Sequence, residues 1–391
     1  MQRVPVLDID GKPLMPMKAS RCRKFLKEGK AKIVRNDLNI FCIQLAAEPS
    51  GRETQPISLS VDPGKIFSGI GLQSARATLF LAHLVLPFPN ITKKMTARRI
   101  LRRARRGRRI NRNLPYQVRA HRQRRFDNRR QGRIAPSICS NRQLELRVIQ
   151  ELLKLFPVTN IVYEIIKARG DKGFSPVMVG QKIMLQWLNL LMPTSTAEGW
   201  QTSILRQQLG LVKNKTDKSA QTKETHANDG LALAASHFMR FEKFHTANTK
   251  GHQWVGQVLV TDAPFRVIAR PNIYRRQLHF ENPDGKKPNL NQYRKRKGGT
   301  ITPFGFRSGD LVKAEKAGKI SVGWVGGYTN TEKQQKVSVY DIKWKRIGQF
   351  TISKVKLLQR AIGILVSRSD KKAPTFLPSL LKARKENPVG S

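Results

Sequence analysis

Three acidic residues lie within or beside apolar segments, and their order along the chain constrains the fold more than any other feature. Asp62 ends a strand-like apolar run, Glu164 lies inside a second one, and Asp229 precedes a run of small apolar residues typical of a helix that packs closely on a sheet. Burying one unpartnered carboxylate is costly, so each acid alone is readily explained as a helix cap or the partner of an arginine. Together, in the order strand end, strand, helix start, they predict a fold in which a sheet and a helix bring carboxylates together.

Converging carboxylates repel one another unless cations neutralise them. Oxygen ligands with open positions suit Mg²⁺ or Mn²⁺, and two such ions about 4 Å apart can activate water and stabilise the leaving oxygen of a phosphodiester. We therefore predict Asp62, Glu164 and Asp229 as ligands of two Mg²⁺ or Mn²⁺ ions. His226 precedes Asp229 by three residues and would share its helix face, which makes it a candidate general base. Taken alone, a histidine such as His226 is more often a surface residue.

Nearly half of the residues in the segment 93–133 are arginine or lysine, and Asp127 is its only acid. A helix here would carry arginines on most sides, and like charges at i,i+4 repel, so it needs phosphates around it. The alternative is a disordered basic segment. The whole chain has a formal net charge of +48, which indicates nucleic acid as a partner rather than an anionic membrane. A ribosomal type of protein remains an alternative. The residues predicted to contact nucleic acid in this segment are Arg98, Arg99, Arg102, Arg103, Arg105, Arg106, Arg109 and Arg112.

The remaining sequence predicts two smaller modules. Residues 1–56 have the pattern of a small α+β module, with a basic helix near 18–28 between short strands. From about residue 247 the pattern changes to short strands separated by glycine- and lysine-rich turns, with strands expected at 255–261, 267–269, 310–312, 320–325, 337–340 and 350–353. Helices are expected at 96–109, 141–156 and 181–191. These patterns favour an α+β protein.

Several other classes of protein are disfavoured by what the sequence contains. The cysteines, Cys22, Cys42 and Cys139, are far apart and form no CxxC pair, so neither a zinc site nor a disulfide framework is indicated. No P-loop, no GxGxxG motif opening a helix and no Ser–His–Asp set is present. The chain begins without a signal-peptide pattern, and we expect it in the cytoplasm.

The motifs around the acids resemble those of RuvC nucleases. Ser60–Gly64 resembles the first RuvC motif, Ile161–Glu164 the second and His226–Asp229 the third. The arginine-rich segment resembles the bridge helix of the transposon-encoded IscB and IsrB families, and Pro13–Pro16 carries the tetrapeptide of their PLMP domain. The C-terminal motifs are similar too, at residues 275–279, 304–310 and 323–328. The resemblance covers nearly the whole chain.

The interval between Glu164 and His226 distinguishes the two families. IscB proteins carry an HNH nuclease domain there, whereas the short interval 165–225 of this chain contains no histidine or cysteine and resembles that of IsrB. The resemblance implies an RNase H-like (RuvC) mixed sheet with helices, split by an Arg-rich bridge helix. It also implies RNA-guided nicking of the non-target strand of double-stranded DNA, with a long non-coding guide RNA as partner. The implied particle is a monomeric ribonucleoprotein without a membrane association.

The resemblance also implies a division of the chain. The expected parts are a PLMP domain at 1–56, RuvC segment I at 57–91, the bridge helix at 92–135, RuvC segments II and III at 136–246, and a β-rich module at 247–391. We expect the last module to recognise a motif next to the target through Arg275, Arg276 and Arg307. Two alternatives stay open: a RuvC-like junction resolvase or RNase H-type transposase that uses no guide, and a non-catalytic RNA-binding protein on a degenerate RNase H fold.

Overall fold

The computed structural model describes residues 3–107, 110–118, 134–167, 175–213, 223–246, 249–270, 279–280, 301–341 and 344–368. Contacts divide the chain into two compact units, one of residues Met1–Val267 with Arg368–Ser391 and the other of Ile268–Ser367. The described helices are α1 (Ala19–Lys27), α2 (Phe88–Gly107), α3 (Pro136–Leu153), α4 (Pro176–Asn189), α5 (Gly199–Gln208) and α6 (Lys223–Ala235). Within the described ranges, none of these helices has the length and hydrophobicity needed to cross a membrane.

The first unit contains a small sheet, a larger sheet and a hairpin. Its strands are β1 (Arg3–Leu7), β2 (Pro13–Lys18), β3 (Ala31–Val34), β4 (Cys42–Leu45), β5 (Ile57–Asp62), β6 (Phe67–Ser74), β7 (Ala77–Val85), β8 (Asn160–Ile165), β9 (Thr194–Glu198), β10 (Arg240–His245), β11 (Lys250–Val255) and the beginning of β12 (Phe265–Ala269). The small N-terminal sheet has the strand order β2-β1-β4-β3, and α1 packs on it through buried Cys22. This confirms the small α+β pattern expected near the N-terminus.

The larger sheet of the first unit has the strand order β7-β6-β5-β8-β9, with β12 next to β7. Strands β5, β6 and β7 form an antiparallel meander, while β8 and β9 continue the sheet in parallel from β5. Nearly every residue of β5, β6 and β7 is buried, so this part of the sheet is covered on both faces, and the serines and glycines of β5 and β6 are buried with the apolar residues. The architecture is α+β and RNase H-like, as the sequence analysis expected.

The second unit is built mainly of antiparallel strands. They are β13 (His279–Phe280), β14 (Leu311–Lys316), β15 (Lys319–Asn330), β16 (Gln335–Tyr340), β17 (Arg346–Thr351), β18 (Val355–Gln359) and β19 (Leu365–Arg368). The sheet order is β17-β16-β15-β14-β18, and β13 pairs with β15 in parallel. Alternating residues such as Val337, Val339 and Phe350 bury one face of the sheet in a small core. The β character expected for this part of the chain is confirmed.

Several helix and strand bounds differ from those expected. Helix α2 begins at Phe88 rather than near residue 96, with a proline at its second position, where a missing N–H costs no helical hydrogen bond. The strand expected at 255–261 is wrong. Instead β11 ends at Val255, because Gly256 adopts a φ of +131° that interrupts the extended chain. The first unit includes the β10–β11 hairpin, and the domain bounds given above remain predictions.

Candidate active site

Two of the predicted acids lie side by side on neighbouring strands. Strands β5 and β8 run parallel, and their register pairs Val61 with Tyr163. The next residue on each strand is an acid, Asp62 on β5 and Glu164 on β8. Because side chains at the same level of adjacent parallel strands point to the same face of the sheet, the two carboxylates face the same side. The pairing of β5 with β8 thus brings two acids from separate segments of the sequence next to each other.

Helix α6 brings the third acid, Asp229, to this pair because small residues allow the helix backbone to touch the sheet. A Cβ atom on Gly69 would lie 1.9 Å from the carbonyl oxygen of His226, and one on Gly71 would lie 2.6 Å from the carbonyl oxygen of Gly230. The hydroxyl of Ser60 donates a hydrogen bond to this same Gly230 carbonyl. Any larger residue at these glycines would push α6, and Asp229 with it, away from the sheet.

Asp62, Glu164 and Asp229, which we call the acid centre, lie close enough to one another to interact electrostatically. Burial, and then the negative charges of Glu164 and Asp229, raise the pKa of Asp62 well above its usual range. Burial and the charge of Asp229 raise the pKa of Glu164 to about 7. Carboxylates respond in this way when water is removed and like charges are close. The acid centre therefore has more negative charge than its surroundings stabilise.

Two cations partly offset this charge, and both bind Asp229. The guanidinium of Arg206 donates to one carboxylate oxygen at 2.7 Å, and the ammonium of Lys213 donates to the other at 2.7 Å. The positive charge of Lys213 also opposes the increase in the pKa of Asp62 and Glu164, so this charge lies near all three acids. Arg206 is nearly fully buried and extends from α5, where its second nitrogen donates to Ser203.

The donor chemistry of the acid centre fits a hard divalent cation. Three largely buried carboxylates that repel one another supply the oxygen ligands that Mg²⁺ and Mn²⁺ prefer. Within the described ranges, no group of three His, Cys, Asp or Glu side chains is spaced to hold a metal ion. Arg206 and Lys213 each bind one oxygen of Asp229, so a metal ion that takes Asp229 as a ligand would have to replace at least one of these contacts.

His226 lies at the first turns of α6 within a cluster of rings. Its ring centroid is 4.9 Å from that of His83 on β7 and 5.2 Å from that of Phe67 on β6. His83 is almost fully buried, and burial followed by the nearby charges of His226 and Lys223 lowers its pKa to about 3. The cluster thus places a neutral, buried histidine against the histidine predicted to act as general base.

A buried polar network holds the strand ends that carry the acids. Arg142 of α3 is 1% exposed, and its guanidinium donates to the Tyr163 hydroxyl at 2.7 Å and to the Gly64 carbonyl at 3.0 Å. Glu145 forms an ion pair with Arg142 at 3.0 Å and accepts a hydrogen bond from Ser68. Tyr163 precedes Glu164 and Gly64 follows Asp62 by two residues, so this network fixes both acids through their neighbours.

Most of the arginines predicted to contact nucleic acid lie in the described part of the chain, and their side chains are exposed. The described arginines of α2 and the following turn are all exposed: Arg98, Arg99, Arg102, Arg103, Arg105 and Arg112. Arg307 of the second unit is also exposed, and its backbone N–H donates to Asp310 at 2.8 Å. The side chain of Arg106 and the whole of Arg109, Arg275 and Arg276 lie outside the described residues.

Arg206, Lys213, His83 and the Arg142 network were not predicted from the sequence. Arg206 belongs to α5, a helix that was not predicted, although Glu198 and Gln201 form a capping box and have the spacing of that signal. His83 has no local pattern that marks it, because its partner His226 is far away in the chain. Only the pairing of β6 with β7 and the packing of α6 bring these rings together.

Two acids lie near the ends of neighbouring strands of an RNase H-like sheet, and the third, Asp229, lies in the middle of α6 rather than at the helix start that the sequence indicated. This arrangement defines a class of nucleases, and the comparison with known families agrees with this class. Residues 4–174 match the model of a family described as RRXRR protein. The segment Arg102–Arg106 reads Arg-Arg-Ala-Arg-Arg and has the pattern in that description. No curated protein matches the chain. The match includes the first two acid motifs and α2, and it is consistent with a nuclease of the RuvC type.

Proposed function

We propose that this chain is an RNA-guided endonuclease of the IsrB kind, which nicks the displaced, non-target strand of double-stranded DNA through one acid centre. The observation that carries the proposal is the convergence of Asp62, Glu164 and Asp229 on an RNase H-like sheet. The similarity of residues 4–174 to the RRXRR family, which includes the arginine-rich helix, supports the guided form of this activity.

The residues of the acid centre have distinct roles in the proposed reaction. When bound, two Mg²⁺ or Mn²⁺ ions would supply Lewis-acid stabilisation of the phosphate and lower the pKa of an attacking water. Asp62, Glu164 and Asp229 would hold these ions through carboxylate oxygens. His226 accepts the proton of the attacking water at a ring nitrogen, and His83 packs against its ring. Arg206 keeps one oxygen of Asp229 oriented.

Nucleic-acid binding would be divided between the guide and the protein. Pairing with a long non-coding RNA would select the target sequence, while the protein would hold the heteroduplex by its backbone. The exposed arginines of α2 are suited to phosphates of the RNA. The second unit, with exposed Arg307, is proposed to contact the duplex motif next to the target. The particle we propose is a monomeric ribonucleoprotein that acts in the cytoplasm.

Cleavage of one strand follows from the presence of one acid centre in the described chain. Double-strand cleavage would require a second centre or a large repositioning of the site, and the interval 165–225 has no histidine or cysteine for an HNH site. The described part of that interval forms α4, β9 and α5, which complete the large sheet and its covering. The paired strand is held in the heteroduplex, so the displaced strand is the one available to the site.

The test uses the full chain purified with the RNA that accompanies it. That RNA is sequenced, and a supercoiled plasmid bearing the matching target is incubated with the ribonucleoprotein and Mg²⁺. We expect open circles with little linear product, and separate end labels should place the break on the strand that does not pair with the guide. Prompt linearisation, or a break in the paired strand, contradicts the proposed nickase.

Two outcomes separate the alternative functions. Nicking that persists after removal of the RNA, with a preference for branched DNA, would identify a guide-free resolvase or transposase. A discrete bound RNA without any cleavage in Mg²⁺ or Mn²⁺ would identify an RNA-binding protein on a degenerate nuclease fold.

A further inference from the structure

One face of the β10–β11 hairpin combines aromatic and basic side chains without an acid. The antiparallel register pairs Phe241 with Trp254, Lys243 with His252 and His245 with Lys250. Because side chains alternate between the two faces of a hairpin, these three pairs share one face. We call it the aromatic-basic face, and its residues are Phe241, Lys243, His245, Lys250, His252 and Trp254. The opposite face carries the hairpin's acid, Glu242, in an ion pair with Arg240.

Trp200 at the beginning of α5 packs against this face and is still 41% exposed. Its ring centroid lies 5.4 Å from that of Phe241 and 5.2 Å from that of His252. The indole N–H of Trp200 donates to Glu198 at 3.1 Å, and the indole N–H of Trp254 donates to the Gln201 carbonyl at 3.0 Å. The hairpin is therefore fixed to α5, and the Trp200 ring has a defined orientation with part of its surface in solvent.

This aromatic surface adjoins the acid centre. Gly199 precedes Trp200, and a Cβ atom on Gly199 would lie 2.8 Å from a carboxylate oxygen of Glu164. An exposed tryptophan thus directly follows a glycine that touches the acid centre. Glu198, the acid nearest to the indole, is neutralised by Lys167 at 2.6 Å. Trp200 therefore contacts the hairpin through its ring, while its chain neighbour Gly199 touches the acid centre.

We propose that Trp200 and the aromatic-basic face form a binding site for single-stranded DNA that guides the displaced strand to the acid centre. A base would stack on the exposed part of the Trp200 ring, and Lys243 and Lys250 would contact the phosphates. An exposed indole beside lysines is the chemistry that recognises unstacked bases, whereas in a duplex the base faces are not accessible. The inference rests on the proposed function for the identity of the strand.

The site is tested by binding and photocrosslinking on the full chain with its RNA. Ca²⁺ replaces Mg²⁺ so that the probe, a single-stranded oligonucleotide containing 5-iodouracil, stays intact. We expect adducts on the peptide that contains Trp200, since halogenated bases crosslink to aromatic rings on which they stack. Trp200→Ala should weaken binding of this probe about tenfold, within the range of one base–aromatic stack, and should remove the adduct. Trp200→Phe should retain much of both.

Charge-matched variants test the lysines of the same hairpin. Lys243→Gln and Lys250→Gln should each lower the salt dependence of probe binding by about 0.7 in the log–log slope, the value for one phosphate contact to a single strand. Arg240→Gln removes the same charge from the opposite face and should leave the slope unchanged. Melting curves confirm that each variant is folded.

Different results would overturn this site and the proposed function. Unchanged probe affinity in folded Trp200→Ala, adducts only at other residues, or an equal loss of affinity for duplex DNA would each reject the single-strand site while nicking persists. A protein that crosslinks through Trp200 but never cuts DNA in Mg²⁺ or Mn²⁺ would retain the site and contradict the nuclease.

Discussion

The acid centre and helix α2 are both regions of unbalanced charge, but they differ in sign and in surroundings. The acids Asp62, Glu164 and Asp229 are mostly removed from water, and burial together with nearby like charges raises the pKa values of Asp62 and Glu164. The arginines of α2 are exposed, as are Ile100 and Leu101 on the same helix. Water solvates the exposed arginines when no nucleic acid is bound. The acids lack that solvation and need cations inside the fold.

This difference explains which partners each region needs. Two cationic side chains of the same chain, Arg206 and Lys213, form ion pairs in the acid centre. Its carboxylate oxygens are also suited to binding metal cations. Helix α2 overlaps the basic segment 93–133, whose only acid is Asp127, so its compensation must come from another molecule. A buried negative cluster thus selects small cations, and an exposed positive helix selects a polyanion.

The largest effect is expected from removal of single carboxylates. Asp62→Ala, Glu164→Ala and Asp229→Ala should each reduce nicking to the background, because each removes an expected metal ligand. RNA and target binding should be retained, since affinity arises from the basic surface. Nicking of labelled plasmid and filter binding measure the two properties on the same samples. Asp10→Ala, at an exposed acid, is the control. Full activity in any one variant would remove that acid from the site.

His226→Ala should reduce the nicking rate by about 10²- to 10⁴-fold, the usual contribution of a general base. Metal binding should be nearly unchanged, because we do not assign His226 as a ligand. Single-turnover kinetics at saturating Mg²⁺ measure the rate, and His237→Ala provides a control at a second histidine near the end of α6. A rate within about threefold of the wild-type rate would assign the proton transfer to another group.

Neutralising α2 should weaken RNA binding without affecting the chemistry. We expect the combined change of Arg98, Arg99, Arg102 and Arg103 to Gln to lower RNA affinity on the order of 10²-fold at physiological salt. The log–log salt slope should fall by about 0.7 to 0.9 for each phosphate that the variant no longer neutralises. The control removes four exposed lysines of the second unit, Lys313, Lys316, Lys319 and Lys333. An equal decrease in affinity for both variants would mean that α2 has no special role.

The same comparison shows how much could be predicted from sequence. The acids were found because Asp62 and Glu164 interrupt apolar runs, and Asp229 precedes small residues whose role in close packing is confirmed at Gly230. The arginines of α2 were found because basic residues greatly outnumber acids within one short segment, 93–133. Arg206 and Lys213 were not, since a single cation becomes a partner of an acid only through tertiary packing.

The same limit applies to strand and helix assignment. The pair β9 and α5 was missed because both segments are short and contain few apolar residues, so neither has a clear periodic apolar pattern. The β10–β11 hairpin was missed because its aromatic residues pack against Trp200 rather than forming a contiguous apolar run. The register between β5 and β8, which aligns Asp62 with Glu164, likewise depends on pairing between segments that are far apart in the chain.

The buried histidine next to His226 should make the protein sensitive to acid. The pKa of His83 is about 3 in the folded state and about 6.5 when unfolded, so the unfolded chain binds a proton that the folded one excludes. Stability should therefore be lost as pH falls from 6.5 towards 3, by about 2 kcal/mol from this residue at pH 5. His83→Phe should remove that part of the difference between urea unfolding at pH 7 and at pH 5. An unchanged difference would mean that His83 is accessible to protons.

The smallest effect is expected at Lys213, and it separates a cation that merely stabilises the apo site from one that helps metal to bind. The ammonium of Lys213 holds one oxygen of Asp229 at 2.7 Å and acts electrostatically on Asp62 and Glu164, so it occupies the charge position that a metal ion would take. Lys213→Met should therefore raise Mn²⁺ affinity about tenfold in the absence of nucleic acid, because a competing unit charge a few ångströms away is removed. Titration followed by electron paramagnetic resonance of free Mn²⁺ measures this directly.

Lys167→Met is the matched control, because Lys167 forms an ion pair of 2.6 Å with Glu198 outside the acid centre. This variant should leave the Mn²⁺ affinity unchanged. Weaker Mn²⁺ binding in Lys213→Met would show instead that the lysine holds Asp229 in place for the metal, and a buried acid cluster would then need its internal cations even when metal is bound.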